Sequence, residues 1–204
     1  MEALAIIIGY LLGSIPFAYI AGRMIKRVDI RQVGGGNVGA LNVWREVGVA
    51  AGVGVLLADL AKGAVAVLIA QWLGLSMIFV FLVGFAAVVG HMWPVFIKFR
   101  GGMGAATTMG VLFALTPVEF AISFAIMVIV ILITSNMRLG VGIGLGLLPL
   151  FVWGFGGAGS LIAYSLALPI FIGLKFIPAL KKAFTGSKKD FIIDRQYKPW
   201  QRRR

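Results

Sequence analysis

The 204-residue sequence contains no cysteine. Disulfides, thiolate nucleophiles and cysteine-ligated metals are therefore excluded. It holds one histidine, His91, so a multi-histidine metal site is excluded too. Charge is scarce, with 13% of residues Asp, Glu, Lys or Arg, against roughly 25% in an ordinary soluble domain. Acidic charge is scarcer still: 7 Asp and Glu face 19 Lys and Arg. No Ser/His/Asp set, paired carboxylates or Walker-type GxxxxGK[ST] stretch occurs. A covalent nucleophile has no strong candidate. An enzyme built from these residues would work by holding substrates and stabilising charge. No cofactor or metal is expected.

What is present is hydrophobic. Apolar residues make up 60% of the chain, and the mean hydropathy is +1.01. This is the composition of an integral membrane protein. The net charge of +12 then points to membrane topology and anionic lipids rather than to nucleic acid. The first apolar segment is not expected to be a signal peptide, because it opens with Glu2 and runs straight into a glycine-rich loop.

A hydrocarbon core requires about 20 apolar residues of helix. Residues Ala3–Ala21 meet that, with Pro16 inside the segment. Val47–Leu73 and Ser76–Phe96 follow, separated by a tight turn at Gly74 and Leu75. Beyond Ala105 the chain is nearly all apolar, and breaks near Pro117, Ser135–Arg138 and Gly154–Ser160 divide it. They yield Ala105–Leu115, Val118–Thr134, Leu139–Phe155 and Leu161–Ile177. The first and third of these four are short for full spans. The expected fold is an all-α, polytopic transmembrane bundle of about seven helices. It forms one domain over residues 1–180, followed by a basic surface tail over 181–204.

Lys and Arg concentrate in cytoplasmic loops. An N-terminus outside puts Arg23, Lys26, Arg27, Arg31, Arg45, Lys98, Arg100, Arg138 and the basic tail inside. The outside turns near Gly74, Pro117 and Gly156 then carry no Lys or Arg. A five-helix count keeps the same parity, so the C-terminus is expected in the cytoplasm either way. The tail, with Tyr197 and Trp200 among its basic residues, suits an anionic-lipid surface or simply completes the positive-inside pattern.

Asp29–Arg45, DIRQVGGGNVGALNVWR, is the polar exception between the first two long segments. Glycines let backbone N–H groups converge on an anion without a Cβ in the way. Gly34, Gly35, Gly36, Asn37 and Gly39 are the candidate phosphate-binding residues here. The amides of Asn37 and Asn42 can donate, and Arg45 can grip a phosphate bidentately. A second loop, Lys98–Gly104, adds Arg100, Gly101, Gly102 and Gly104 on the same expected face. Two such loops suggest one shared anion site; the alternative is a structural turn with basic residues anchored to lipid headgroups. Within the spans, Asp59 and Lys62 lie three apart on one helix face. They suit either a structural ion pair or a functional site. His91 is either a packing group or a titrating one. Arg45, Lys62 and His91 are the candidate catalytic groups.

The order of these pieces resembles the bacterial acyl-phosphate:glycerol-3-phosphate acyltransferase family, the Y-type membrane enzymes of phospholipid synthesis. The matching stretches are Gly13-Ser14-Ile15-Pro16-Phe17, Asp29-Ile30-Arg31, Gly36-Asn37-Val38-Gly39 with Asn42 and Arg45, and Asp59 with Lys62-Gly63. Gly90-His91 continues the match through Pro94-Val95-Phe96 to Phe99-Arg100-Gly101-Gly102. They cover the first half of the chain. The resemblance implies transfer of a fatty acyl group from acyl phosphate to the 1-hydroxyl of glycerol 3-phosphate, at the cytoplasmic face of the inner membrane.

The chain departs from the family pattern at particular positions. Gly35 stands where the pattern has serine, Leu41 where it has threonine, and Met103 where it has lysine. The stretch Asn136–Val141 lacks the serines of a YxSLGS-like turn, and no His, Arg, Glu and Asn motif closes the chain. A catalytically silent helical scaffold, divergent or redesigned, is therefore a second reading. A small transporter is a third; it would need a polar path, and the spans offer Asp59, Lys62 and a few hydroxyls.

Overall fold

The computed structural model describes residues 1–185, with side chains for residues 1–175. The described residues contain nine α-helices and no strand. Five helical segments are long and apolar enough to cross a membrane: Glu2–Lys26, Val49–Trp72, Met77–Ile97, Pro117–Thr134 and Met137–Gly154. Ala105–Leu115 and Gly159–Lys175 are shorter apolar helices. An 11-residue helix rises only about 16 Å, roughly half a hydrocarbon core. Much of the basic tail expected from Lys181 lies outside the described residues; its start, through Thr185, continues the last helix.

The chain divides into two compact units, the first being Met1–Leu115. Its first span is not one helix. α1 (Glu2–Ser14) stops and α2 (Phe17–Lys26) restarts beyond a break at Ile15 and Pro16. Ile15 is extended, with φ −60° and ψ 115°, as the residue before a proline prefers. α2 ends at Arg27 in the left-handed conformation, and the Val28 N–H returns to the Gly22 carbonyl at 3.1 Å. The expected polar loop contains a helix of its own, α3 (Ala40–Glu46).

α4 (Val49–Trp72) and α5 (Met77–Met92) follow, then a 3-10 turn at Val95–Ile97, and α6 (Ala105–Leu115). α1 packs on α5, and α4 on α6. Both crossings depend on glycine. A Cβ on Gly13 would collide with the backbone of Ala87, and one on Gly110 with the carbonyl of Leu60. Helix association in lipid rests on such close approach. Beneath the first glycine loop lies a small apolar cluster of Ala18, Ile30, Val38, Val43, Val47, Val55 and Ile97.

The second unit begins at Thr116. It holds α7 (Pro117–Thr134), α8 (Met137–Gly154) and α9 (Gly159–Thr185). Pro117 sits in the first turn of α7, where its missing N–H removes no helical bond. Asn136 caps α8 by accepting from the Leu139 N–H at 3.1 Å. α7 and α8 pack through Gly140 and Gly144, which face Met127, Ile131 and Ser123. Ser123 Oγ donates to the Gly144 carbonyl at 2.7 Å, so this buried hydroxyl is satisfied inside the helix pair.

Candidate functional site

The first glycine loop is shaped by Asn42. This side chain is buried at the start of α3. Its amide nitrogen donates to the carbonyls of Ile30, Val33 and Asn37 at 3.0–3.1 Å. Its Oδ1 accepts the Gly35 N–H at 3.1 Å. Gly34 and Gly36 take left-handed φ values of 58° and 69°, and Gly34 closes against Asn42 and Glu46 without room for a Cβ. Gly34, Gly35 and Gly36 are exposed, and Asn37, Gly39 and Arg45 are half-buried.

Within the fold these polar groups already have partners. The Asn42 amide holds the loop together instead of pointing out to an anion. The Gly35 N–H is engaged by Asn42, and the Gly36 N–H bonds the Val33 carbonyl at 3.1 Å. In this arrangement the glycines make an open backbone surface, but those two amides do not converge on a ligand. The second loop shows the same division. Lys98 and Arg100 are exposed, whereas Gly102 and Gly104 are buried. The Gly102 N–H donates to the His91 carbonyl at 3.1 Å. Gly102 is thus a packing position, and Gly104 takes a left-handed φ of 89°.

The two loops are brought together. Gly102 lies against the His91 ring and the Val38 carbonyl, with no space for a Cβ. Arg31, from the first loop, donates through Nη1 to the Ile97 carbonyl at 3.2 Å, one residue before the second loop begins. Asp29 aims this arginine. Its Oδ2 meets Arg31 Nη2 at 2.7 Å and its Oδ1 meets Arg31 Nε at 2.9 Å, a bidentate pair. The Arg31 guanidinium also lies over the Tyr19 ring, 4.8 Å from its centroid. The Arg31 clamp was not legible from the sequence, since nothing local marks Ile97 as its acceptor.

The Arg31 hydrogen bonds hold the Asp29 carboxyl down at about 2, below its usual 3.8. The carboxylate therefore stabilises the fold above pH ~4 and loses that contribution as pH falls toward ~2, roughly 2 kcal/mol in all. Asp29→Asn is expected to lower the melting temperature at neutral pH and to flatten its acid dependence between those limits. A thermal melt series from pH 6 to pH 2 would measure this, and parallel curves for both proteins would refute it.

Beneath the loops lies a buried polar cluster. Asp59 and Lys62 on α4 pair at 2.7 Å, and both are almost wholly buried. Lys62 Nζ also donates to the Ile15 carbonyl at 2.9 Å, at the Pro16 break in the first span. His91 Nδ1 approaches the same Asp59 oxygen at 3.4 Å. Both contacts on that oxygen are close in distance without aligned hydrogen-bond geometry. Ser14, Phe17, Val38 and Pro94 complete a small cleft around the cluster. The candidates Lys62 and His91 thus sit inside the protein, away from the exposed rim that carries Arg100.

This fold and this site define a polytopic helical membrane protein whose glycine and arginine loops are locked together over a buried ion pair. Residues 3–186 match the family model described as glycerol-3-phosphate acyltransferase, and the chain belongs to that family. It is 41% identical to glycerol-3-phosphate acyltransferase 1 of Dehalococcoides mccartyi, over 96% of this chain and 98% of that one. It is 40% identical to glycerol-3-phosphate acyltransferase of Endomicrobium trichonymphae, over 95% and 97% of the two chains. The fold is similar to the crystal structure of PlsY, an integral membrane glycerol 3-phosphate acyltransferase, in its glycerol 3-phosphate form. There the TM-score is 0.83 at 34% identity, covering 91% of this chain and 92% of that one. The lysophosphatidic acid form of PlsY is similar at a TM-score of 0.81 and 33% identity, with the same coverage. The expected all-helical membrane fold and the family resemblance are borne out.

Proposed function

We propose that the protein transfers a fatty acyl group from acyl phosphate to the 1-hydroxyl of glycerol 3-phosphate. The hydroxyl oxygen forms a bond to the acyl carbonyl carbon and the carbonyl–phosphate bond breaks. The products are lysophosphatidate and inorganic phosphate, with the hydroxyl proton passing to phosphate. Family membership over residues 3–186 carries this reading. The junction of the two loops through Gly102 and Val38 supports it, because it brings the two glycine- and arginine-bearing loops into contact.

Arg45, half-buried on α3, and Arg100, exposed on the second loop, are the groups assigned to phosphate. The Gly34–Gly36 backbone leaves room for the substrate to approach. Acyl chains lie against the apolar helix faces. Phosphate is a good leaving group, and the acceptor's own phosphate serves as the proton acceptor, so no protein base is invoked. Both loops face the cytoplasm across a bacterial inner membrane, following the positive-inside pattern. Anionic lipid headgroups are the expected surroundings of the basic face.

Purified protein in detergent, given acyl phosphate and glycerol 3-phosphate, is expected to form lysophosphatidate. Arg45→Ala should raise KM for glycerol 3-phosphate by roughly 10- to 150-fold, the worth of a charge-assisted hydrogen bond. A folded, inactive parent would sink this reading. It would favour the silent scaffold, which the replacements at Gly35, Leu41 and Met103 otherwise recommend.

A further inference from the structure

We propose that Asp59 is a positioning residue that sets the mutual placement of the two glycine loops, acting through His91. This deepens the acyl-transfer reading and rests on it for its kinetic arm alone. The connections run without a gap. The Ile15 carbonyl, exposed by the Pro16 break, accepts from Lys62 Nζ at 2.9 Å. Lys62 pairs with Asp59 at 2.7 Å. The same Asp59 oxygen faces His91 Nδ1 at 3.4 Å. The opposite edge of the His91 ring abuts Gly102, which also abuts the Val38 carbonyl. The His91 carbonyl takes the Gly102 N–H at 3.1 Å.

His91 therefore packs against Asp59 at one edge of its ring and carries the second loop on the other. Gly102 in turn touches the first loop at Val38. A ring packed between the Asp59 carboxylate and Gly102 passes a change at one edge to the backbone at the other. Buried ion pairs are also commonly replaceable by apolar residues of similar volume without loss of stability. That property separates a positioning role from a purely structural one.

Two double variants make the test. Asp59→Asn with Lys62→Gln keeps an acceptor for His91 and a donor for Ile15. Asp59→Leu with Lys62→Met keeps the volume and removes both. Full-length protein in detergent would be followed by thermal melting and by hydrogen exchange of peptides covering 34–39 and 98–104. The Leu/Met protein is expected to melt near the parent while both loop peptides exchange at least about tenfold faster. The Asn/Gln protein should exchange like the parent. In the acyl-transfer assay, KM for glycerol 3-phosphate should be about tenfold or more higher in the Leu/Met protein than in the Asn/Gln protein.

Identical loop exchange in the two double variants overturns the proposal. So does a Leu/Met protein that fails to fold while the Asn/Gln protein folds, since the cluster would then hold the bundle and not the loops. An inactive parent sinks acyl transfer and leaves the exchange result to decide the positioning role by itself.

Discussion

Asn42→Ala is expected to disorder the first glycine loop and to remove any activity that depends on it. The physical reason is the concentration of bonds on one side chain. The Ile30 and Asn37 carbonyls and the Gly35 N–H lose their Asn42 partner at once, and the Val33 carbonyl is left with the Gly36 N–H alone. A buried polar group left unpaired costs about 1–3 kcal/mol. The outer part of the loop is exposed and can recruit water, so the sum is smaller than three such penalties. A loss of about 3 kcal/mol and complete loss of the loop's defined shape are expected. Asn42→Asp should be no better. It keeps the acceptor for Gly35 but presents an oxygen to three carbonyl oxygens. Hydrogen exchange over residues 30–42 and the melting temperature would read both effects. Unchanged stability with a raised KM for glycerol 3-phosphate would instead make Asn42 a ligand-binding group.

Asn42 also shows how far the sequence could be read. Its position near a glycine run marks an amide with donors to offer, and chemistry alone permits a phosphate as the acceptor. In the fold the loop turns back over the start of α3, bringing three of its own carbonyls within reach of that amide. That is a tertiary fact with no local signal. The same holds for Arg31, whose acceptor Ile97 is remote in the chain. Apolar segments were easier. Ala105–Leu115 is observed with the expected bounds, because Gly104 and Pro117 punctuate an otherwise continuous hydrophobic run. The break at Pro16 was visible as a residue and not as a break. Proline is tolerated inside membrane helices when neighbours satisfy the freed carbonyl. Here the Leu12 carbonyl, four residues before Pro16, takes the Ile15 N–H at 3.2 Å instead, and the chain does not continue as a helix across Ile15.

Burial divides the candidate residues in a way the sequence cannot. Glycine is chosen both where a backbone must be open and where two backbones must touch. Gly35 belongs to the first kind, with nothing within 4 Å of a built Cβ, and Gly102 to the second. Both read alike in a glycine-rich motif. The Asp59–Lys62 pair was legible as a pair from its spacing. Its link to His91, and through His91 to Gly102, needed the crossing of α4 and α5.

That division makes a gain of function the most demanding test of the site. Where this chain has Gly35 and Met103, the family pattern it resembles carries a serine and a lysine. Gly35 is outside the left-handed region and faces open space, so Gly35→Ser adds a hydroxyl without backbone strain. Met103 is half-buried, between Gly102 and Gly104 of the second loop, and Met103→Lys adds an ammonium of similar reach. Each new charge-assisted bond to phosphate is worth about 1.5–3 kcal/mol, or roughly 10- to 150-fold in affinity. The double variant is expected to lower KM for glycerol 3-phosphate by at least about tenfold, and the gain from lysine should shrink as salt rises. Gly36→Ser supplies the control. It places the same hydroxyl one residue along, where φ is 69°, and strain of about 1 kcal/mol or more should destabilise the loop. An unchanged KM in a folded double variant would mean that the phosphate does not reach this rim. Equal gains from Gly35→Ser and Gly36→Ser would mean that the loop does not hold the backbone conformation described.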